Sequence, residues 1–511
     1  MNTTTSTKTA YDRLCEKMHE AALLESTAAL LGWEQETYMP EGGREHRASQ
    51  LAQLAGMVHT MVTNPEVGDL ISECEQQADL TSDPLSESAV NLREWRRTYD
   101  RQTKLPQSLV TEITKTQSLS QGEWAKARNE SDFKRFQPYL EKIMDLMRQK
   151  AECFGYPDSG EPYDALLEDY EPGATAAEIE QIFIPLRERL VKLINDIAAS
   201  DNHPAGELQK IKVPIERQKE LSRFIAEAYG FDFTCGRIDE TTHPFCSGVG
   251  VGDTRITTRY TEDNFPDALG STMHETGHAI YDQGLRGEFF GTPMGLPVSL
   301  GIHESQSRMW ENQVGRSKAL WEWFAPHVKR ILGVEELQKF STEQMYRDVN
   351  IVKPSYIRVE ADEATYNLHI MLRFELERAL LNGDLKAADV PSMWNKRFKD
   401  YLGIEVPDDR RGCLQDVHWS FGLVGYFPTY TLGNLYAAQF FAKAKQDIPD
   451  LEDQFRQGDF SKLKKWLNEN IHAHGQRYRA RDLCRVVTGK ELSADPLMMH
   501  LEGKLRPIYG I

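Results

Sequence analysis

The chain has 511 residues, with 60 basic and 78 acidic side chains and a formal net charge of −18, a balance that disfavours nucleic acid or an anionic membrane as partner and favours solubility. The first ten residues are polar and lack the apolar core of a signal peptide, and nothing reaches the run of about 18 apolar residues that a membrane span requires. Seven scattered cysteines without a CxxC pair predict reduced thiols of a cytoplasmic protein, not a disulfide frame or a thiolate metal site.

Residues 8 to 155 are expected to form successive long helices. Tyr11, Leu14, Met18, Ala21, Leu24, Ala28 and Leu31 recur at helical spacing, and Gly32 with Met39-Pro40-Glu41-Gly42-Gly43 interrupts them before a second helix from Arg44 to Val62. Trp33 and Tyr38 read as core aromatics. Leu92 to Arg101, with Arg93, Arg96, Arg97 and Arg101 among acids, reads as a solvated charged face. Helices continue over Ser108–Arg128 and Phe133–Phe154. Tyr163 to Gly173, with Glu168, Asp169 and Glu171, reads as a solvated acidic connection. A capping box, Thr175 with Glu178, then opens a helix through Ile197, and another spans about Ile215 to Tyr229.

From Phe231 to Tyr260 glycines, threonines and β-branched residues dominate, and Thr254 to Tyr260 alternates as a strand does. Such a strand either pairs with an extended peptide or merely props the next helix, and the sequence leaves both open. In that helix Asn264 is a candidate N-cap, Pro266 suits the first turn, and Leu269, Met273, Ile280 and Tyr281 form a face to bury, with Gly284 as the stop. His274 and His278 then lie one above the other, Cβ atoms roughly 5–6 Å apart, so both imidazoles can reach one metal ion. Glu275 between them sits beside any water the ion holds, which is the HExxH pattern of zinc peptidases. A second helix is suggested from His303 to Asn312, closing at Gly315. It carries Glu304, which is 304 − 278 = 26 residues beyond the second histidine and the candidate third ligand. Two imidazoles and one carboxylate leave a fourth position open for water, as a catalytic site requires.

Helices are expected again over Ala319–Leu332, Val334–Asp348 and Asp362–Leu381. Gly412 to Gly433 is too irregular for one helix, and terminal helices follow over Asn434–Lys445, Leu451–Gln457, Lys462–Ile471 and Arg481–Thr488. No Pro/Ser-rich linker interrupts the chain, so residues 1–511 read as one mainly α domain, with two lobes around a central cleft and a small β-sheet.

Six motifs carry a family resemblance: His243-Pro244-Phe245; Asp253-Thr254-Arg255-Ile256-Thr257; His274-Glu275-Thr276-Gly277-His278; His303-Glu304-Ser305-Gln306 with Trp310; Ile357-Arg358 with Ala361-Asp362; and Gly412 with Gln415-Asp416 and His418-Trp419. Together they span about 180 residues, and the sequence resembles the carboxypeptidase Taq family of metallocarboxypeptidases. One departure is Trp33-Glu34, where a Trp-Asp pair is more usual. The resemblance implies a saddle-like helical subunit similar to neurolysin-type peptidases, a homodimer, one zinc or cobalt per subunit, and removal of single C-terminal residues from peptides with broad preference.

On this reading His274, His278 and Glu304 hold the metal, and Glu275 takes the proton of the attacking water. His303, about 100° around the helix from Glu304, orients neighbours or lines the cleft. The developing oxyanion needs further donors, and the resemblance favours His418 and a tyrosine, Tyr430 ahead of Tyr426. A free carboxylate calls for a guanidinium fork. Arg358 is the first candidate, the alternative being an ion pair with Asp362. Arg255 is the second, beside a structural partner in Asp253. Asp416 is expected to orient His418 or a ligand histidine. An oligopeptidase with identical metal chemistry and a helical scaffold with a vestigial site are the rival readings.

Overall fold

In the computed structural model, which describes residues 8–511, helices form most of the chain and begin where local side chains satisfy the first free amides. Thr9 opens Ala10–Thr37 with a full capping box: its hydroxyl accepts the Asp12 amide at 3.1 Å and the Asp12 carboxylate accepts the Thr9 amide at 3.0 Å. Asn64, Ser86, Asp132 and Thr175 cap Pro65–Glu75, Glu87–Lys104, Phe133–Phe154 and Ala176–Ala198 in the simpler way, each accepting one backbone amide.

Several segments depart from their sequence reading because packing overrides local pattern. Leu92 to Arg101 is not a solvated face. It lies within Glu87–Lys104, where Leu92 and Trp95 are core and the buried Glu94 is held by Arg93, Arg97 and Arg479 at 2.7, 3.0 and 2.9 Å. Buried charges survive only when paired, and here three guanidinium groups do the pairing. The acidic connection is not a solvated loop either: Pro162–Leu167 is helical, and Glu171 is 1 % exposed. Tyr38 sits just past the helix end at 59 % exposure and donates its hydroxyl to Asp239, whereas Trp33 is buried as expected. Val334–Asp348 splits into Glu335–Gln338 and Thr342–Asp348, because Ser341 and Gln344 form a capping box that restarts the chain. Asp362 precedes its helix and holds the turn before it, accepting the Ala364 and Thr365 amides at 3.0 Å each, and the helix runs Tyr366–Asn382. The stretch after Gly412 is irregular through a short turn at His418–Phe421, but helix resumes at Pro428, earlier than expected, and continues to Asp447. A further helix, Asp495–Tyr509, lies beyond those predicted.

The β portion is a three-stranded sheet of β1 (Gly236–Glu240), β2 (Cys246–Gly250) and β3 (Asp253–Thr258), in the order β1-β3-β2. β1 runs parallel to β3 with Arg237 opposite Arg255, and β2 runs antiparallel to it. The two arginines flank the Trp33 indole, at 5.1 and 4.2 Å from ring to guanidinium, and so fasten the first helix to the sheet.

Ala226, Phe231, Ile256 and Ala279 form a small core between this sheet and the histidine-bearing helix. A second small core joins Ala10, Leu14, Leu70, Ile71 and Trp95 near the N-terminus. The main core extends from Leu109 to Tyr509 and encloses the helices that carry the site. All seven cysteines are free thiols, and among the described residues no helix is long and apolar enough to cross a membrane.

Candidate metal centre and active site

His274, Glu275 and His278 lie midway along Phe265–Gly284, where the backbone is fully hydrogen-bonded and side-chain directions are set. Asn264 stands at its N-cap without a side-chain bond, and the helix stops at Gly284. Glu304 lies on Leu300–Arg308, whose free amides are satisfied by Ser299 and Glu171: Ile302 donates to the Ser299 hydroxyl at 3.1 Å and Gly301 to the Glu171 carboxylate at 3.0 Å. That helix continues as a π-helical turn, Met309–Val314. Glycines let three backbones converge on Glu304. A Cβ on Gly277 would stand 2.6 Å from the Gln306 carbonyl oxygen, and one on Gly433 2.5 Å from the Glu304 Cγ.

The result is a donor set. Ligand atoms of His274, His278 and Glu304 all lie within 4.8 Å of one another, the only such cluster among the described residues. Nε2 of His274 and Nε2 of His278 approach Glu304 Oε2 at 3.5 and 3.4 Å. Each ligand is also held from behind. His274 Nδ1 meets Glu311 Oε2 at 2.9 Å, His278 Nδ1 meets His303 Nδ1 at 2.5 Å, and Glu304 Oε1 accepts from Arg308 Nε at 2.7 Å. Two imidazole nitrogens and a carboxylate oxygen, oriented from outside and turned toward one point, suit a divalent ion with an open coordination position. Burial opposes ionisation of Glu304, yet Arg308 and the two histidines hold its carboxyl well below the usual range. Glu275 is buried too, and burial, opposed by the charge of His274 and aided by those of Glu304 and Glu311, pushes its carboxyl up to about 7.

A second group of site residues adjoins the first. Arg308 lies over the Tyr366 ring at 4.4 Å, and the Tyr366 hydroxyl accepts from Arg358 Nη1 at 2.9 Å. Arg358 is 6 % exposed and not paired with Asp362. Its Nε donates to Asp416 Oδ1 at 3.0 Å, while Arg373 donates to Asp416 Oδ2 at 2.7 Å. Asp416 therefore orients two arginines, not His418 or a ligand histidine. Two guanidinium groups share one carboxylate. Burial, with Arg358 and Arg373, drives the neighbouring His418 imidazole down to about 4, so it adds no charge near neutrality. Among direct ion pairs the cluster sets two guanidinium groups against one carboxylate, and Arg358 Nη2 makes no hydrogen bond with the protein.

Tyr430 stands in the first turn of Pro428–Asp447, its ring 5.0 Å from the Arg358 guanidinium and its hydroxyl 3.5 Å from His418 Nε2. Tyr426 stacks edge-on against Tyr430 at 5.4 Å and against Tyr170 at 5.2 Å. Burial raises the pKa of both phenols, so both remain donors at neutral pH. Arg255 is not brought to this group: Asp253 at 2.7 Å and the Trp33 face occupy its guanidinium. The structure thus assembles Glu275, the three candidate ligands, Arg358, His418, Tyr426 and Tyr430, and leaves Arg255 on the sheet.

Sequence reading missed Glu311, Arg308, Asp282, Tyr366 and Arg373. The first two carried a signal, since Glu304, Arg308 and Glu311 follow i, i+4, i+7 spacing along one helical face. Asp282, four residues beyond His278, accepts from His303 Nε2 at 2.9 Å and had the same kind of signal.

The comparisons with known proteins point the same way. The family model for carboxypeptidase Taq (M32) metallopeptidase matches residues 13–505. The chain is 45 % identical over 508 residues to thermostable carboxypeptidase 1 of Thermus thermophilus, covering 98 % of this chain and 99 % of that one. It is 38 % identical to carboxypeptidase 1 of Bacillus subtilis, over 94 % and 95 % of the two chains. Its backbone superposes on the crystal structure of the M32 carboxypeptidase from Deinococcus radiodurans R1 with a TM-score of 0.94, at 41 % identity over 98 % and 100 % of the chains. A motif set, a fold and a donor cluster that agree over nearly the whole length place this chain in the carboxypeptidase Taq (M32) family, as a metallocarboxypeptidase.

Proposed function

We propose that the protein is a zinc carboxypeptidase that releases single C-terminal amino acids from peptides with broad preference, cobalt being able to replace zinc. His274, His278 and Glu304 hold the ion. Bound there, the ion acts as a Lewis acid and lowers the pKa of a water molecule toward 7. Glu275, beside the two ligand histidines and shielded from solvent, takes a proton from the attacking water and passes it to the departing amine. Tyr430 and His418 supply hydrogen bonds to the carbonyl oxygen as it gains charge, with Tyr426 shaping the same wall.

The observation that carries the end-trimming reading is the unbalanced cluster of Arg358, Arg373 and Asp416. A buried positive charge with a free Nη2 awaits an anion, and a peptide ends in one. The substrate carboxylate would be held by Arg358. Arg255 is a lesser candidate for that contact, being paired on the sheet. We further propose that residues 1–511 act as one domain, that the subunits form a homodimer, and that the protein works in the cytoplasm.

The test is to incubate metal-loaded protein with one peptide carrying either a free or an amidated C-terminus and to follow products by mass. A ladder of single-residue losses from the free form alone is expected. Internal cuts in both forms would refute the reading in favour of an oligopeptidase, and no cleavage with metal bound would favour a scaffold.

A further inference from the structure

The two ligand histidines are held from behind in different ways. His274 Nδ1 meets a carboxylate directly, at Glu311. His278 Nδ1 meets a second imidazole, His303, whose other nitrogen meets the carboxylate of Asp282 at 2.9 Å. Because Nε2 of His278 faces Glu304 and the donor set, a neutral His278 that offers its Nε2 lone pair carries its proton on Nδ1. That proton is donated to His303 Nδ1, so His303 keeps its own on Nε2 and donates it to Asp282. The ring of His303 is packed against two others, lying 4.6 Å from the His278 ring and 5.2 Å from Tyr281. The second oxygen of Asp282 receives the Cys246 thiol of β2 at 3.7 Å, which ties the end of the relay to the sheet.

We propose that His303 and Asp282 are positioning residues for the metal, fixing the tautomer and ring orientation of His278 through a two-imidazole relay. This rests on the reading that His274, His278 and Glu304 hold the ion. The relay runs across two helices: His278 and Asp282 are successive turns of one, and His303 reaches over from the other. It therefore also registers the HExxH helix against the helix of Glu304. A glutamine at 303 can accept through Oε1 and donate through Nε2, whereas a leucine can do neither.

The experiment measures the zinc dissociation constant by chelator competition for the native protein and for the Asp282→Asn, His303→Gln, His303→Leu and His278→Ala variants. Melting of the metal-free proteins is followed in parallel. Loss of such an outer partner is expected to weaken zinc by about 10- to 100-fold in H303L and D282N, at unchanged metal-free melting. H303Q is expected to stay within about threefold of native, since both of its bonds can be remade. Nitrogen-15 spectra of histidine-labelled, zinc-loaded protein are expected to show His278 protonated on Nδ1. Native affinity in H303L, or H303Q as weak as H303L, would overturn the relay. Zinc binding undiminished in H278A would instead overturn the ligand assignment beneath it. If D282N does not fold, the H303Q and H303L pair alone decides.

Discussion

Replacing Arg358 with methionine separates substrate recognition from metal chemistry. The cluster holds two guanidinium groups and one carboxylate, with Asp416 bonded to Arg358 at 3.0 Å and to Arg373 at 2.7 Å. Removing Arg358 leaves Arg373 and Asp416 as a balanced pair, so the fold is not asked to bury a lone charge. What disappears is the attraction for a terminal carboxylate in a site shielded from water. Truncating one partner of a buried, hydrogen-bonded charge pair costs about 2–5 kcal/mol. At 1.4 kcal/mol per tenfold, this predicts a loss of about 30- to several-thousand-fold in kcat/KM for a free-acid peptide. An amidated peptide of the same sequence has no such charge, and any residual turnover of it is expected to be the same in the variant as in the native protein. The assay is steady-state kinetics on both peptides at equal metal occupancy. Equal losses on the two, or native kcat/KM on the free acid, would refute the assignment of Arg358 as the carboxylate clamp.

Other predictions follow from the same geometry. Glu275→Gln keeps the ligand set and its outer partners, so metal content is expected to match native while kcat falls by about 10²–10⁴, read from metal analysis and kinetics on one preparation. Trp33→Ala removes the indole between Arg237 and Arg255 and is expected to lower stability by about 3–5 kcal/mol. It should also open the first two helices to limited proteolysis, so a native cleavage pattern would count against the clamp. Glu171, buried against the amide of Gly301, has its carboxyl raised by burial from 4.5 to about 7. Below pH 4.5 it is neutral folded or unfolded. As pH rises from there to about 7 the unfolded chain ionises first, so folding loses about 3 kcal/mol that is not regained above. Glu171→Gln stays neutral throughout, and its melting temperature relative to native is expected to rise by about 3 °C between pH 4.5 and pH 8. Parallel pH profiles would show that Glu171 does not titrate in this way.

Much of the site was legible because helix geometry is local. Residues four apart share a face whatever the rest of the chain does, so His274 and His278 could be read as a candidate metal site with Glu275 as its candidate base. Glu304 could be placed by motif, and Arg308 and Glu311 could have been, from their spacing on the same face. Helix boundaries read well where a Thr, Ser, Asn or Asp caps them, and badly where a second cap intervenes within an apolar run, as at Ser341. What spacing could not supply was burial. Glu94, Glu171 and the arginines around them read as solvated because nothing local shows that distant helices will cover them.

Only the tertiary structure paired Arg358 with Asp416, 58 residues away, in place of Asp362, and set Arg373 on the other oxygen of the same carboxylate. Only it lodged Trp33 between two arginines on neighbouring strands, drawing Arg255 away from the substrate role considered for it. These choices depend on which elements meet and how much water remains between them, and such quantities are properties of the packed chain. The sequence by itself determined the candidate donor set, because its residues sit on rigid helical turns. The charge left over for a substrate was decided by the fold.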